Sequence, residues 1–222
     1  MGYLGYKPAD KPLTSADITD SIITSAKITD GTIALADLSA TGTKDATTFL
    51  RGDNSFVTPS SGGMTLLSTT TLSSTTTSIN ITSTGYIELL ISIENMTGAT
   101  GDTKFNFNSD TGTNYKSVRM VGDSNNSPST GSQSATGVFI NQNGAAGYTS
   151  TSLLSCIINV YFPASTSRHK TFLSNTVGEY STDRIAMLTS GIWKSTSAIT
   201  SFQLISGTGT FSGGTVYIYG VK

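Results

Sequence analysis

The sequence predicts an all-β protein, and its composition and spacing support this. Ser and Thr make up roughly a third of the 222 residues, Gly adds 23, and only 12% of residues are charged. Thr suits strands and Ser and Gly suit turns, whereas residues that favour long helices are scarce. From about Met64, short β-type runs alternate with turns at intervals of roughly 8–12 residues. We therefore expect a C-terminal, jelly-roll-like antiparallel sandwich, preceded by an extended or β-helical N-terminal arm, in a homotrimer.

The charge and the apolar pattern exclude several classes of function. With a net charge of −1 and scattered Lys and Arg, the chain has no basic stripe for nucleic acid. The apolar runs are too short for membrane insertion, and the N-terminus lacks the features of a signal peptide. Cys156 is the single cysteine, so no internal disulfide is possible. Stability is therefore expected to come from the core or from oligomerisation.

A Pro/Ser/Gly segment at residues 59–63 is predicted to divide the chain. We expect residues 1–15 to form an arm that anchors the chain to a larger particle. Residues 16–59 are expected to form a repeat and a small hairpin, and residues 60–222 the sandwich.

An aliphatic residue recurs at every fifth position of the N-terminal part, and a small residue lies two positions before each one. The aliphatic positions, here called the ladder, are Ile18, Ile23, Ile28, Ile33 and Leu38. Neither the helical nor the strand period produces this spacing, so it indicates a repeat. The pattern resembles the pentapeptide-repeat family, most clearly at Ala16-Asp17-Ile18 and Ala36-Asp37-Leu38. That resemblance implies a square β-helix.

The repeat is long enough for little more than one coil, which cannot bury its own apolar face. Either the coil stacks on another element, or three copies wrap around one another; a plain loop with coincidental spacing is the alternative. The ladder, Phe49 and Phe56 are the residues predicted to pack in a trimer or against the particle.

The segment Thr47–Pro59 follows, with two short apolar runs on either side of Gly52-Asp53-Asn54. This pattern predicts a small hairpin. The segment resembles one that is common in phage and collagen-like fibre proteins, with Phe56 at the position usually held by Trp. The resemblance implies a phage particle as the setting.

Ten strands are predicted in the C-terminal part, from alternating or continuous apolar runs. They are 78–82, 86–93, 104–108, 117–121, 137–141, 153–162, 171–177, 185–193, 201–205 and 215–221. The last strand is apolar on both faces, which predicts cover from its own core and from a neighbouring subunit. The final two runs resemble the terminal hairpin of sandwich domains in tail and fibre proteins.

Catalytic chemistry finds little support in the sequence. One His and one Cys cannot build a metal site, no cofactor is expected, and Cys156 is expected to be a small core residue. His169 is expected at an exposed strand start. The acidic residues are scattered in turn-like segments, without the paired arrangement of a glycosidase. We expect no enzyme activity.

Binding is a stronger prediction than catalysis, because the loops 97–103, 110–114, 122–136 and 141–150 are polar. The predicted glycan contacts are Tyr115, Asn125, Asn126, Asn141, Asn143 and Tyr148.

These observations and resemblances together predict a bacteriophage virion protein, on the tail or the capsid surface. The expected form is a trimeric fibre or appendage subunit, whose partners are itself, other virion proteins through the N-terminal arm, and a host surface glycan. A trimeric capsid decoration protein and a free lectin-like module are the alternatives.

Overall fold

The structure is a computed structural model, and it describes residues 14–59, 63–98, 101–123, 129–141, 153–180 and 183–222. The chain divides into two compact units, residues 1–60 and 61–222. Within the described ranges the helical elements are three short 3-10 turns, and the rest of the regular structure is antiparallel sheet. The predicted all-β class is therefore confirmed.

The N-terminal unit contains the three 3-10 turns, Ser15–Asp17, Ser25–Lys27 and Leu35–Asp37. They are followed by a hairpin of two strands, β1 (Phe49–Leu50) and β2 (Phe56–Val57). The strands pair antiparallel, with Leu50 opposite Phe56. The predicted hairpin is confirmed.

The C-terminal unit contains twelve strands in the residues that the structure describes. These are β3 (Met64–Thr71), β4 (Thr76–Asn80), β5 (Glu88–Thr97), β6 (Lys104–Phe107), β7 (Tyr115–Asp123), β8 (Ser129–Ala135), β9 (Val138–Phe139), β10 (Leu153–Tyr161), β11 (Lys170–Tyr180), β12 (Asp183–Trp193), β13 (Ser201–Ile205) and β14 (Gly213–Val221). One sheet has eight strands in the order β3-β14-β5-β10-β11-β12-β7-β8. The other has four, in the order β4-β13-β6-β9.

The two sheets share one hydrophobic core, because alternate residues of their strands point inward. Leu89, Ile91 and Ile93 of β5 are buried, as the alternation in that segment predicts. The rings of Phe105 on β6 and Phe172 on β11 lie 5.7 Å apart in an edge-to-face arrangement, which joins the small sheet to the large one.

All ten predicted strands overlap an observed strand, but β3 and β8 were not predicted. Residues 122–136 were expected to be a loop, and this is wrong, because β7 extends to Asp123 and β8 spans Ser129–Ala135. β8 reads STGSQSA and pairs at the sheet edge, so it has no apolar alternation to indicate a strand.

The expected terminal hairpin is also wrong. β13 lies in the four-stranded sheet and β14 in the eight-stranded sheet, between β3 and β5. The connection between them carries Phe211 into the core, so the chain crosses from one sheet to the other.

Candidate assembly site

The ladder lies on a structural unit of ten residues, which is twice the five-residue spacing. A 3-10 turn begins at Ser15, at Ser25 and at Leu35. Between these turns, Ile22 N donates to Thr19 O at 3.1 Å, and Thr32 N donates to Thr29 O at the same distance. Each ten-residue unit therefore holds one 3-10 turn and one tight turn.

The tight turns explain part of the small-residue pattern. Ser21 and Gly31 occupy equivalent positions and have φ values of 64° and 80°. This left-handed region favours glycine and, among other residues, small or polar ones. The sequence pattern identified these two positions as small without indicating the turn that requires it.

The Asp of the pentapeptide-like units caps the 3-10 turns. Thr14 N and Thr14 Oγ1 donate to Asp17 Oδ2 at 2.8 and 2.6 Å. Twenty residues on, Ala34 N donates to Asp37 Oδ2 at 2.8 Å. In the middle unit, Lys27 takes this position and its Nζ donates to Ile22 O at 2.6 Å. The substitution of Asp by Lys therefore replaces a cap with a different backbone contact.

The ladder side chains are exposed in the single chain. Ile18, Ile23, Ile28 and Ile33 have between 39% and 57% of their surface accessible to solvent, and Leu38 is half-buried. Isolated exposed aliphatic residues are common on proteins, but a run of them at regular spacing is not. These turns therefore present an apolar surface that the unit itself does not cover.

The hairpin is attached to the end of the repeat by a short parallel bridge. Thr41 pairs with Ser55, Thr41 N donates to Asn54 O at 3.1 Å, and Phe56 N donates to Thr41 O at 2.7 Å. Phe56 and Ala40 are buried in this small core. Phe49, also predicted to pack in an assembly, is half exposed.

The hairpin turn is held by its own polar groups. Asn54 N donates to Arg51 O at 3.0 Å, and Ser55 Oγ donates to Asp53 Oδ1 at 2.5 Å. This bond from Ser55 is the main reason that the pKa of Asp53 lies below its ordinary value. Gly52, Asp53 and Asn54 thus fill the turn role that the sequence predicts for them.

Two of the predicted glycan contacts lie inside the C-terminal unit. Tyr115 is 1% exposed, and Phe107 N donates to its hydroxyl at 2.8 Å. Burial raises the pKa of Tyr115 above its ordinary value. Asn141 is equally buried, and its Nδ2 donates to Gly101 O at 3.2 Å. Both residues are structural, which corrects their prediction as surface contacts. Asn125, Asn126, Asn143 and Tyr148 lie outside the described residues.

The turn before β7 forms a polar cluster beside the core. Trp193 Nε1 donates to Asp110 Oδ2 at 2.6 Å, and Gly112 N donates to Asp110 Oδ1 at 2.8 Å. Burial opposes ionisation of this carboxyl, but the hydrogen bonds from Trp193, Asn114 and Gly112 prevail and lower the pKa of Asp110. Trp193 is buried.

Lys170 is fully buried next to the same cluster. Its Nζ donates to Ser165 O at 2.6 Å and to Arg168 O and Ser195 O at 3.3 Å, and it lies 5.7 Å from the Trp193 ring centre. Three carbonyl oxygens accept hydrogen bonds from the ammonium group. Lys170 therefore links the connection between β10 and β11 to the connection between β12 and β13. The sequence did not single out this residue.

Cys156 and His169 do not meet in the structure. Cys156 is buried on β10 opposite Thr176, and burial raises the pKa of its thiol to about 11. His169 is exposed and precedes the first residue of β11. Six residues of strand separate Lys170 from Thr176, a distance of roughly 20 Å. The two side chains cannot act as a nucleophile–base pair, and both predictions, a core cysteine and an exposed histidine, are confirmed.

The described residues contain no cluster of three or more His, Cys, Asp or Glu that could hold a metal ion. No helix in that part of the chain has the length and hydropathy needed to cross a membrane. Comparison with known proteins finds no matching family model, no matching curated protein and no matching solved structure, so function is inferred from the geometry described above.

Proposed function

We propose that this chain is a non-enzymatic structural subunit of a bacteriophage particle. It forms a homotrimeric fibre or appendage whose N-terminal unit attaches to other virion proteins and whose C-terminal sandwich faces the host surface. The observation that carries the proposal is the ladder of exposed Ile residues on regularly spaced turns.

The ladder supports assembly because exposed aliphatic side chains gain free energy when they leave water. Full burial of one Ile stabilises by roughly 1.5–3 kcal/mol, so partial burial of four in each of three chains adds a substantial sum. The 3-10 turns and tight turns hold these side chains at fixed spacing, which allows identical copies to match one another along the repeat. The resemblance to phage fibre segments at Thr47–Pro59 agrees with this reading.

The strand order supports a jelly roll as the core of the sandwich. Without β7, β8, β11 and β12, the sheets have the orders β3-β14-β5-β10 and β4-β13-β6-β9. From β3 to β6, each strand lies in the opposite sheet from the strand before it, and β13 and β14 again lie in opposite sheets. A jelly roll, which consists of two nested Greek keys with four strands in each sheet, has this arrangement. On this proposal, β11-β12 and β7-β8 are two hairpins that widen one sheet.

We also propose host adsorption through a surface glycan, with Asn125, Asn126, Asn143 and Tyr148 as the remaining predicted contacts.

A trimeric capsid decoration protein is the alternative, because it would also combine an N-terminal segment that assembles with a sandwich domain. Labelling of virions with antibodies against the sandwich separates the two, because a fibre subunit places the label on the tail and a decoration protein places it over the shell.

Limited proteolysis tests whether the ladder is covered in the assembly. Lys27 and Lys44 lie within or just after the repeat and provide trypsin sites. We expect the native chain at micromolar concentration to resist cleavage at Lys27. A variant with Ile23→Ser and Ile28→Ser should be cut there rapidly. The control pair Thr24→Ser and Thr29→Ser changes exposed neighbours and should resist like the native chain. Equal cleavage of all three proteins would contradict the proposal.

A further inference from the structure

The eight-stranded sheet has a second face, which points away from the core and carries several exposed aliphatic residues. We call it the outer sheet face and define it as the outward residues of β3, β14, β5, β10, β11, β12 and β7. It carries exposed Ile157, Val177 and Leu188 on its central strands, and exposed Val118, Met120 and Leu66 nearer its two edges. An antiparallel sheet with one solvated face normally alternates apolar-in and polar-out, and this sheet does not.

The middle of the outer sheet face has no charge. One cross-strand row runs from Thr69 through Ile157 to Met120, and the next runs from Leu66 through Leu173 to Val118. Every side chain in both rows is neutral, and the polar ones are Ser, Thr, Asn and Tyr. The rows cross seven strands, so the uncharged band extends over nearly the whole width of the sheet.

The charged residues of the outer sheet face lie toward the ends of the strands. They are Glu88, Glu94, Lys116, Glu179 and Arg184, of which Glu179 and Arg184 are direct cross-strand neighbours. An uncharged centre that mixes aliphatic, aromatic and neutral polar side chains, with charged residues at its rim, is the composition of a protein–protein interface.

The size of the outer sheet face also fits an interface. Seven strands spaced about 4.8 Å apart span about 34 Å, and the nine residues of β10 span about 30 Å. The product, about 1,000 Å², exceeds the roughly 800 Å² that each partner buries in a standard-size complex. Two shallow depressions of about 680 and 280 Å³ lie on this face, the first beside Val118 and Ser190 and the second beside Ile157 and Asn175. Side chains of a partner can fill them.

We propose that the outer sheet faces of three copies of this chain turn toward a common three-fold axis and that each is covered by the other two, so that the sandwiches themselves form part of the trimer. The occupants are further copies because the uncharged rows can approach one another without opposing like charges, and each face offers exposed aliphatic residues that its neighbours can bury. This inference rests on the proposed function, which requires three copies but assigns their contact only to the N-terminal unit.

Thiol labelling of the full-length protein tests the proposal. Asn175→Cys and Ser190→Cys place a thiol in the neutral rows at exposed positions, and Ser167→Cys places one in an exposed connection outside the sheet. The native Cys156 is buried and gives a low background. The probe is a maleimide dye, the mass of each variant is measured by light scattering in parallel, and Trp193 fluorescence verifies the native fold.

We expect a trimeric mass, with labelling at positions 175 and 190 more than about tenfold slower than at 167. A trimeric mass with equal labelling at all three positions would overturn the outer-face contact and leave the proposed function standing. A monomeric mass with equal labelling would overturn both. A protein of dimeric mass with protected thiols would retain the outer-face contact and overturn the trimer.

Discussion

Among single residues, Asp110 has the most clearly defined structural task. Its carboxylate accepts from the indole of Trp193 and from groups in its own turn, and it connects β12 to the segment before β7. Hydrogen bonds to a charged acceptor contribute more than those between neutral groups, and a buried donor left without a partner costs free energy. The turn before β7 therefore depends on one carboxylate.

Replacing Asp110 with Ala should destabilise the sandwich by roughly 2–3 kcal/mol, because the Trp193 N–H loses its acceptor. Trp193 is the single tryptophan, so chemical unfolding followed by its fluorescence measures the effect directly. Asp110→Asn keeps one acceptor oxygen and should lose less. Because the pKa of Asp110 is lowered in the folded state, its contribution is present above about pH 4 and is lost as the pH falls through the lower folded value. Unchanged stability in Asp110→Ala would contradict this role.

Cys156 predicts an alkaline limit to stability. Its pKa rises from an ordinary value of 9.0 to about 11 on burial, so the unfolded chain loses the thiol proton at lower pH than the folded one. The stabilising contribution is present below pH 9 and is lost as the pH rises toward 11, by up to roughly 3 kcal/mol.

The matched variant is Cys156→Ala, which has no group that titrates at this position. Its stability should fall less between pH 9 and 11 than that of the native chain, while Tyr115, whose pKa is also raised, affects both proteins alike. The comparison uses urea unfolding at each pH. Parallel curves for the two proteins would show that Cys156 does not contribute.

Among the elements, the bridge between Thr41 and the hairpin is the part of the N-terminal unit most sensitive to a small change. Gly42 has a φ of 89°, and a Cβ at this position would lie 2.2 Å from Phe56 O. A backbone oxygen cannot move away as a flexible side chain can, so any side chain here separates the bridge.

Gly42→Ala should therefore release the hairpin, at a cost of roughly 1–3 kcal/mol from backbone strain alone. Hydrogen exchange of the Phe56 amide, which donates to Thr41 O, gives a direct measurement. Gly52→Ala is the control, because a Cβ there meets nothing within 4 Å. Protection of Phe56 in Gly42→Ala equal to that in Gly52→Ala would contradict this account.

The elements differ in how well the sequence predicts them, for physical reasons. β5 alternates apolar and polar residues over most of its length, so both its existence and its inward face were predictable, whereas β10 is apolar on both faces and only its existence was predictable. β8 consists of Ser, Thr, Gly, Gln and Ala, and it is a strand because it pairs with β7. No local sequence pattern encodes that pairing. Tyr115 flanks a polar turn in the sequence, yet it points into the core because it is the first inward residue of β7. The five-residue ladder was visible, whereas its ten-residue unit depends on turns that alternate in type.

At the scale of the whole molecule, the described residues present two surfaces whose exposed aliphatic side chains a single chain leaves in water. One is the ladder on the N-terminal unit, and the other is the outer sheet face of the sandwich. Large exposed apolar surfaces mark sites of association in soluble proteins. Contact at both surfaces would make assembly bivalent within each chain, which raises the apparent affinity without further contacts.

The mass of the full-length protein in solution tests the central claim most directly. The chain mass is 23.1 kDa, and size-exclusion chromatography with light scattering at micromolar concentration should give about three times that value. In the trimer, the ladder of each chain is covered by the other two, and dissociation would return these side chains to water. The trimeric mass should therefore persist on dilution. A mass of 23.1 kDa under these conditions would contradict the account.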